Sequence, residues 1–200
     1  EFRRVLFRSL NRVIPVIKAL SAQGATISVD TMRANTAKRA VEAGAQIVND
    51  VSGGAADPEM LSTVAELGCT YILMHWRGHS KDMNSKAIYQ DVVQEVIAEL
   101  NEQVQKALAA GIQPAKIILD PGIGFAKDAQ HNWEVIDRLH EITALGYPVL
   151  IGHSRKRFLG GEKPDDREAA TVALTKSLSD KGIWGVRVHG VRANYEAMHR

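Results

Sequence analysis

Apolar and polar positions divide most of the chain into short apolar runs separated by longer amphipathic stretches. Each run is nearly continuous in apolar character, which is typical of parallel strands covered on two faces. The runs are ATISVD (25–30), QIVNDV (46–51), YILMH (71–75), KIILD (116–120), PVLIGHS (148–154) and GVRVH (185–189). Because parallel strands need long crossover connections, this pattern predicts an α/β fold in which helices join successive strands.

The stretches between the runs carry apolar residues at helical spacing, and several of them stop at glycine. LNRVIPVIKALSAQG stops at Gly24, and YQDVVQEVIAELNEQVQKALAAG stops at Gly111. NTAKRAVEAGA, HNWEVIDRLHEITALG and DREAATVALTKSLSDKG have the same form. This spacing predicts amphipathic helices that end at these glycines. No glycine-rich dinucleotide fingerprint follows any of the runs, so a Rossmann-type cofactor site is not indicated.

Polar side chains stand at the carboxyl end of each predicted strand. In chain order they are Asp30, Asn49 with Asp50, His75, Asp120, Ser154 with Arg155 and Lys156, and Arg187 with His189. One polar residue after a strand is ordinary turn chemistry, but six in succession indicate a shared rim, where (β/α)8 enzymes carry their active sites. A closed barrel of this type has eight strand–helix units. We therefore expect about six C-terminal βα units of a (β/α)8 TIM barrel.

The first residues, EFRRVLFRS, do not join the periodic pattern that follows them. They contain no long apolar core of the kind that a signal peptide needs. We expect residues 1–9 to be a non-native leader and residues 10–200 to form one partial barrel domain.

Composition narrows the classes of function. A hydrophobic content of 45% is enough for one substantial core, and the formal charge of +2 is nearly balanced. Nucleic acid and anionic membrane are therefore not indicated as partners. No apolar stretch approaches the roughly 18 residues of a membrane-spanning helix. Cys69 is the single cysteine, so we expect a buried thiol and a reducing compartment, the cytoplasm.

Six of the segments resemble, in order, the strand-end motifs of the dihydropteroate synthases, which are pterin-binding enzymes. They are SVDT (28–31), NDVSGG (49–54), LMH (73–75), LDPGIGFAK (119–127), GHSRKRFLG (152–160) and RVHGV (187–191). The ordered set extends from about residue 10 to the end of the chain. MHWRG, AQHNW and WGVRVH are similar to the actinobacterial branch. Residues 10–200 are thus expected to be a partial pterin-binding TIM-barrel domain.

The resemblance implies a specific transferase reaction in folate biosynthesis, the target of sulfonamides. The family condenses 6-hydroxymethyl-7,8-dihydropterin pyrophosphate with p-aminobenzoate and releases dihydropteroate and pyrophosphate. By resemblance, Asp120 and Asn49 hold the donor edge of the pterin, since an ionised carboxylate accepts two hydrogen bonds at once. Lys156 donates to the pterin carbonyl side, and Met74 packs on the ring. Asp30 stabilises positive charge that develops on the pterin as pyrophosphate leaves.

The resemblance also assigns the other substrate groups. Arg187 and His189 bind pyrophosphate, and Arg187 also stacks on the pterin face. Phe125 forms an apolar wall for p-aminobenzoate, Ser154 meets its carboxylate end, and Gly124 lets backbone approach a flat ligand. Magnesium is the implied cofactor, but the family's magnesium-binding Asn belongs to a segment that has no counterpart in this sequence, so no metal ligand is assigned.

Departures from the family pattern limit what the resemblance implies. The first two strand–loop units have no counterpart here, and Gly190 stands where an Asp usually follows RVH. We therefore expect the 200-residue chain to be inactive by itself. A homodimer through the late helices is implied as well.

Two other enzyme classes compete with the synthase. One is a methyltetrahydrofolate-dependent corrinoid methyltransferase, which shares the pterin clamp. SRKRF and RVH favour the synthase, because a methyltransferase has no pyrophosphate to neutralise. The other is a metal-dependent barrel hydrolase that uses Asp120 with His75, His153 and His189, but it would need a paired His motif on an early strand. Outside these roles, we expect Lys127 and Arg157 to be exposed charges and His153 to be solvated.

Overall fold

The computed structural model describes residues 2–78 and 83–199, in which helices and strands alternate. The helices are α1 (Phe2–Ser21), α2 (Ala34–Glu42), α3 (Met60–Leu67), α4 (Val92–Ala109), α5 (Ala129–Asp137), α6 (Leu139–Thr143), α7 (Glu168–Leu178) and α8 (Val191–Met198). The strands are β1 (Ser28–Asp30), β2 (Ile47–Asp50), β3 (Thr70–Met74), β4 (Ile117–Asp120), β5 (Leu150–Ile151) and β6 (Gly185–Val186). The chain divides into two compact units, Glu1–Met74 with Asn101–Ile118 and His75–Leu100 with Leu119–Arg200.

A parallel sheet forms the base of the first unit. β1, β2 and β3 lie side by side, and the beginning of β4 follows β3. In this register, Asp30 lies beside Asn49, and Asp50 lies beside Leu73. Because the strands are parallel, their carboxyl ends meet at one edge of the sheet. The polar residues that end β1 and β2 are thereby brought together.

Strands β1 to β3 and helix α2 bury apolar side chains in the core of the first unit. Val29, Val48 and Tyr71 are buried in the strands, and α2 buries Ala37 and Ala40 completely. Burying such apolar surface contributes about 25 cal/mol per Å². Cys69 is buried, as expected, and burial raises the pKa of its thiol.

The second unit contains the end of β4 and the parallel pair β5–β6. Leu119 of β4 bridges in parallel to Val149, and Ile151 of β5 lies beside Val186 of β6. Asp128 is the N-cap residue of α5, and its carboxylate accepts a hydrogen bond from the backbone N–H of His131 at 2.8 Å. Such a cap satisfies one of the donors that the first turn of a helix leaves unpaired. The start of α5 is thereby fixed.

The structure confirms the predicted α/β class and corrects several element boundaries. β5 and β6 are two-residue strands, because the polar segments after Ile151 and Val186 leave the ladder. The predicted helix over 131–146 is two helices, α5 and α6, which meet at Arg138. Helix α3 was not predicted. Helix α1 begins at Phe2, so the backbone of residues 2–9 continues into the predicted helix, while their non-native origin stays a prediction.

The helices of the described residues differ from membrane spans in composition. None of them combines the length and apolar character that a bilayer span requires.

Candidate active site

Asp30 and Asn49 form a hydrogen-bonded pair at the carboxyl end of the first unit's sheet. They are register partners, and Asn49 Nδ2 donates to Asp30 Oδ2 at 2.8 Å. Asn49 is 2% exposed, whereas Asp30 is open to solvent. The amide thus holds an accessible carboxylate in place, with the backbone N–H of Thr31 donating to the carbonyl of Asn49.

Asp50 is a buried carboxylate that the sequence analysis noted without giving it a role. One oxygen accepts from the backbone N–H and the hydroxyl of Ser52, at 2.8 and 2.7 Å. The other accepts from the backbone N–H of Gly54 at 2.8 Å and the hydroxyl of Tyr71 at 2.9 Å. A carboxylate with four donors fixes the turn that follows Asn49. The Asp-x-Ser spacing of residues 50–52 could have predicted this turn, because it is typical of an Asx turn.

Met74 ends β3 and is buried, with 1% of its surface exposed. A β-carbon at Gly53 would lie 2.9 Å from the Met74 carbonyl oxygen, and Gly53 has a φ of +58°. Glycine at this position therefore permits the close approach of the turn to the end of β3.

Asp120 and Arg187 form an ion pair in the second unit. Asp120 is 1% exposed at the end of β4, where its Oδ1 accepts from the backbone N–H of Gly122 at 2.8 Å. Its Oδ2 accepts from Arg187 Nη2 at 3.1 Å. The guanidinium lies close to Gly152, where a β-carbon would come within 2.6 Å of Nη2. The buried carboxylate thus accepts hydrogen bonds from one backbone N–H and one arginine.

Lys156 and Phe125 are in contact in the same unit. Lys156 Nζ lies 4.0 Å from the centroid of the Phe125 ring, in a cation–π arrangement. Burial lowers the pKa of Lys156 to about 8, against the attraction of the Asp120 carboxylate. A β-carbon at Gly124 would lie 2.7 Å from Lys156 Cδ, so glycine leaves the room that the lysine stem occupies.

Ser154 and His189 are joined by two hydrogen-bond contacts. Ser154 Oγ lies 2.9 Å from His189 Nδ1 and accepts from the backbone N–H of His189 at 3.2 Å. Ser154 is buried and His189 is exposed. The pair ties the segment after β5 to the segment after β6.

Arg167 holds the segment after β5 and was not singled out in the sequence. This buried guanidinium donates to four backbone carbonyls, those of Arg155, Gly160, Gly161 and Glu162. Because each of these oxygens would otherwise need another donor, Arg167 fixes the path of the chain around Lys156.

The structure also shows what occupies the space beside Gly190. A β-carbon there would overlap the Glu168 carboxylate, which accepts from Arg155 Nε at 2.9 Å. Glu168 from α7 thus occupies the space that a side chain at Gly190 would enter.

Two predictions of solvent exposure were wrong. Lys127 is buried, because its ammonium is enclosed by polar acceptors of its own loop and of His75. His153 is buried as well, and its Nε2 lies 2.9 Å from the Thr175 hydroxyl. Burial lowers the pKa of His153, against a backbone hydrogen bond that raises it. Arg157 is exposed, as expected.

Magnesium would need a cluster of oxygen ligands among the same residues. Over 2–78 and 83–199, no group of three or more His, Cys, Asp or Glu side chains is placed to hold a metal ion. The described residues thus form no magnesium site made of such side chains alone, and magnesium stays a prediction from the resemblance.

Comparison with known proteins gives a consistent result. The sequence of residues 6–189 matches the protein family described as pterin binding enzyme. A dihydropteroate synthase from Mycobacterium leprae is 49% identical over 199 residues, covering 94% of this chain and 70% of that protein. Mycobacterium is an actinobacterial genus, which agrees with the predicted resemblance.

Solved structures agree with the sequence match. The dihydropteroate synthase from Xanthomonas albilineans in complex with 7,8-dihydropteroate has a TM-score of 0.88 and 38% identity, covering 95% of this chain and 71% of that one. The Thermus thermophilus enzyme in complex with 4-aminobenzoate has a TM-score of 0.87 and 40% identity, covering 93% and 73%. The same enzyme has been solved in complex with 6HMPPP, with a TM-score of 0.87. On the strength of the family match, the identity and the shared TIM-barrel fold, this chain belongs to the dihydropteroate synthases of the pterin-binding enzyme family.

Proposed function

We propose that this chain binds 6-hydroxymethyl-7,8-dihydropterin pyrophosphate and p-aminobenzoate, the substrates of a dihydropteroate synthase. The observation that carries the proposal is the buried carboxylate of Asp120, which ends β4 and has Arg187 as its ionic partner. The relatives solved with 7,8-dihydropteroate, 4-aminobenzoate and 6HMPPP support the same substrates.

Asp120 is suited to the donor edge of a pterin. A carboxylate has about four lone-pair sites, and the two contacts described above leave acceptor capacity for two further donors. Arg187 is partly exposed, so an anionic group can reach its guanidinium. In this proposal Asp120 binds the pterin, Lys156 donates to its carbonyl side, and Arg187 with His189 receives the pyrophosphate.

For three residues of the first unit, the proposed roles are those that the resemblance to the synthases implies. Asn49 binds the donor edge, Met74 packs on the ring, and Asp30 stabilises the developing positive charge. The C–O bond to pyrophosphate breaks with its electron pair on the leaving group, and the arylamine nitrogen forms the new C–N bond and loses a proton. A fixed carboxylate costs no reorganisation as the positive charge appears, which lowers the barrier. The hydrogen bond from Asn49 Nδ2 gives Asp30 that fixed position.

For p-aminobenzoate, Phe125 provides an apolar face and Ser154 a hydroxyl near its carboxylate end. The contact of Lys156 Nζ with the Phe125 ring places a cation beside this face. Because the substrate is an anion at neutral pH, that cation favours its binding.

The alternatives have less support. The relatives are named as synthases, which does not favour the corrinoid methyltransferase. The hydrolase needs a metal cluster, and the described ranges contain no such group.

A ligand-dependent thermal melt tests the proposal and does not depend on turnover. At about a hundredfold excess over Kd, dihydropterin pyrophosphate should raise the free energy of unfolding by about 2.7 kcal/mol. Asp120→Asn should abolish this shift, whereas Asp180→Asn, at an exposed acid of the same unit, should keep it. A wild-type melt that ignores the ligand, or an equal shift in both variants, would overturn the assignment. Magnesium is added in one arm, since it stays a proposal from the family.

A homodimer is proposed as well. α8 exposes Val191 at 68% and Tyr195 at 63%, one helical turn apart, and such an apolar pair favours a protein contact. Sedimentation should show a dimer that Tyr195→Glu dissociates, and a monomeric wild type would overturn this. A cytoplasmic location remains the prediction made from the sequence.

A further inference from the structure

The segment 122–127, which carries Gly124 and Phe125, has a conformation that needs external support. Gly122, Gly124 and Ala126 have φ values of +69°, +76° and +46°. The left-handed region is open to glycine but costs a residue with a β-carbon about 1 kcal/mol or more. Ala126 therefore stays in this region only because surrounding contacts hold it there.

Lys127 supplies three of those contacts from inside the loop. Its Nζ lies 3.3 Å from the Gly122 carbonyl oxygen, 3.3 Å from the Phe125 carbonyl oxygen and 3.0 Å from His75 Nδ1. Burial lowers the pKa of Lys127 to about 7. In its charged form the ammonium has three N–H donors and no acceptor, so the three contacts use its full capacity. The side chain is buried, and its nitrogen has no donor left over for a substrate.

His75 presents an acceptor to Lys127 because Glu99 fixes its tautomer. His75 Nε2 lies 2.9 Å from Glu99 Oε2, and an ionised carboxylate only accepts, so Nε2 carries the proton and Nδ1 is free to accept. Arg77 donates to both oxygens of Glu99 from Nε, at 2.9 and 3.1 Å. Burial raises the pKa of Glu99, but hydrogen bonds from His75 and Arg77 outweigh it and lower that pKa to about 2, which keeps the carboxylate ionised.

Two further side chains hold the same segment from outside. The Tyr89 hydroxyl donates to the Ala126 carbonyl at 2.9 Å, and Asn132 Oδ1 accepts from the backbone N–H of Gly124 at 2.6 Å. Arg77 lies over the Tyr89 ring, 3.8 Å from its centroid. The network that begins at Glu99 therefore reaches the loop by two routes.

We propose that Lys127 is a positioning residue of the synthase reaction, which holds segment 122–127 in the shape that lets Phe125 and Gly124 receive p-aminobenzoate. The proposal rests on the substrates assigned under Proposed function. Because all three donors of Lys127 point to protein acceptors, it acts through the loop and does not touch the substrate.

Calorimetric titration of the full chain with 4-aminobenzoate, and separately with dihydropterin pyrophosphate, tests this role. Lys127→Met removes the donors and keeps the apolar stem. We expect the Kd for 4-aminobenzoate to rise about tenfold, the cost of hydrogen bonds to a charged group, while the Kd for dihydropterin pyrophosphate changes less than about twofold. Lys127→Arg, which keeps a charged donor, should restore most of the affinity for 4-aminobenzoate. Lys176→Met changes an exposed lysine of α7 and serves as the matched control.

Tyr89→Phe tests the support of the loop independently. It removes the hydrogen bond from the Tyr89 hydroxyl to the Ala126 carbonyl without disturbing a buried charge. It should weaken 4-aminobenzoate binding in the same direction by a smaller factor. Equal affinity of wild type, Lys127→Met and Tyr89→Phe for 4-aminobenzoate would overturn the positioning role. An equal loss for both ligands in Lys127→Met, without recovery in Lys127→Arg, would show general damage and overturn it too. A wild type that binds neither ligand would instead refute the proposed function.

Discussion

Acid should destabilise the second unit through His75, which is fully buried between Glu99 and Lys127. Burial lowers the pKa of His75 from 6.5 to about 4, and the Lys127 ammonium adds to this, against the hydrogen bond to Glu99. Between these two values the unfolded chain binds a proton on His75 and the folded chain does not. The free energy of unfolding therefore falls as the pH falls through this window.

The size of the effect follows from the shift. A difference of about 2.5 pKa units corresponds to about 3 kcal/mol once the pH is below both values, and about 2 kcal/mol of this is lost between about pH 7 and about pH 5. The lowered pKa of Glu99 acts in the same direction but at lower pH, between 4.5 and about 2. Above about pH 5 the loss therefore comes from histidine titration, apart from a small contribution near pH 7 from Lys127, whose pKa burial lowers to about 7.

Urea unfolding at a series of pH values measures this loss directly. His75→Asn keeps an acceptor near the position of Nδ1 and cannot be protonated, so its stability should depend less on pH by about 2 kcal/mol over the same interval. His140→Gln, at an exposed histidine, should match the wild-type slope. His153 is buried in all three proteins and adds a shared contribution that cancels in the comparison. A wild type whose stability is flat from about pH 7 to about pH 5, or a His75→Asn variant that falls as steeply, would refute the reasoning.

Three further predictions concern other parts of the molecule. Asp50→Asn should lower the free energy of unfolding by about 1–3 kcal/mol in a urea titration. The amide NH2 group would lie against backbone N–H groups that now donate to the carboxylate, and one donor would lose its acceptor. An unchanged midpoint would contradict this. Gly190→Asp should lower the free energy of unfolding by about 0.5–1 kcal/mol, because the flexible end of Glu168 must move aside and give up its contact with Arg155. The same substitution should cost less in a Glu168→Ala background, and equal costs in both backgrounds would count against the overlap. Affinity for dihydropterin pyrophosphate should fall on the order of tenfold from about pH 7 to about pH 9, because Lys156, with a pKa of about 8, loses its charge. Lys156→Arg should remove this pH dependence of the affinity. Identical pH profiles for the wild type and the variant would exclude the role of Lys156.

Local chemistry was sufficient to predict the order of the strands and the polar residues at their carboxyl ends. Continuous apolar runs identify the strands, and apolar residues at helical spacing that end at a glycine identify the helices. These patterns are local because they reflect which faces of a short segment are buried. Parallel strands then place their carboxyl ends together whatever the details of packing, so Asp30 with Asn49, and Ser154 with His189, lie as neighbours. The break between α5 and α6 and the two-residue length of β5 depend on contacts beyond a local window, and the sequence pattern misjudged them.

Burial of the charged residues was decided by the tertiary structure alone. Lys127 follows a glycine-rich turn and has the local sequence of an exposed lysine, yet its ammonium meets an acceptor on His75, 52 residues earlier in the chain. Glu168 fills the space beside Gly190 from a different helix, and Arg167 gathers carbonyls along a loop whose path no local pattern specifies. The sequence by itself determined which residues stand at the strand ends, since strand periodicity is local. Which charges are enclosed, and by which partners, was settled only by the fold, because desolvation and pairing depend on distances between segments far apart in the chain.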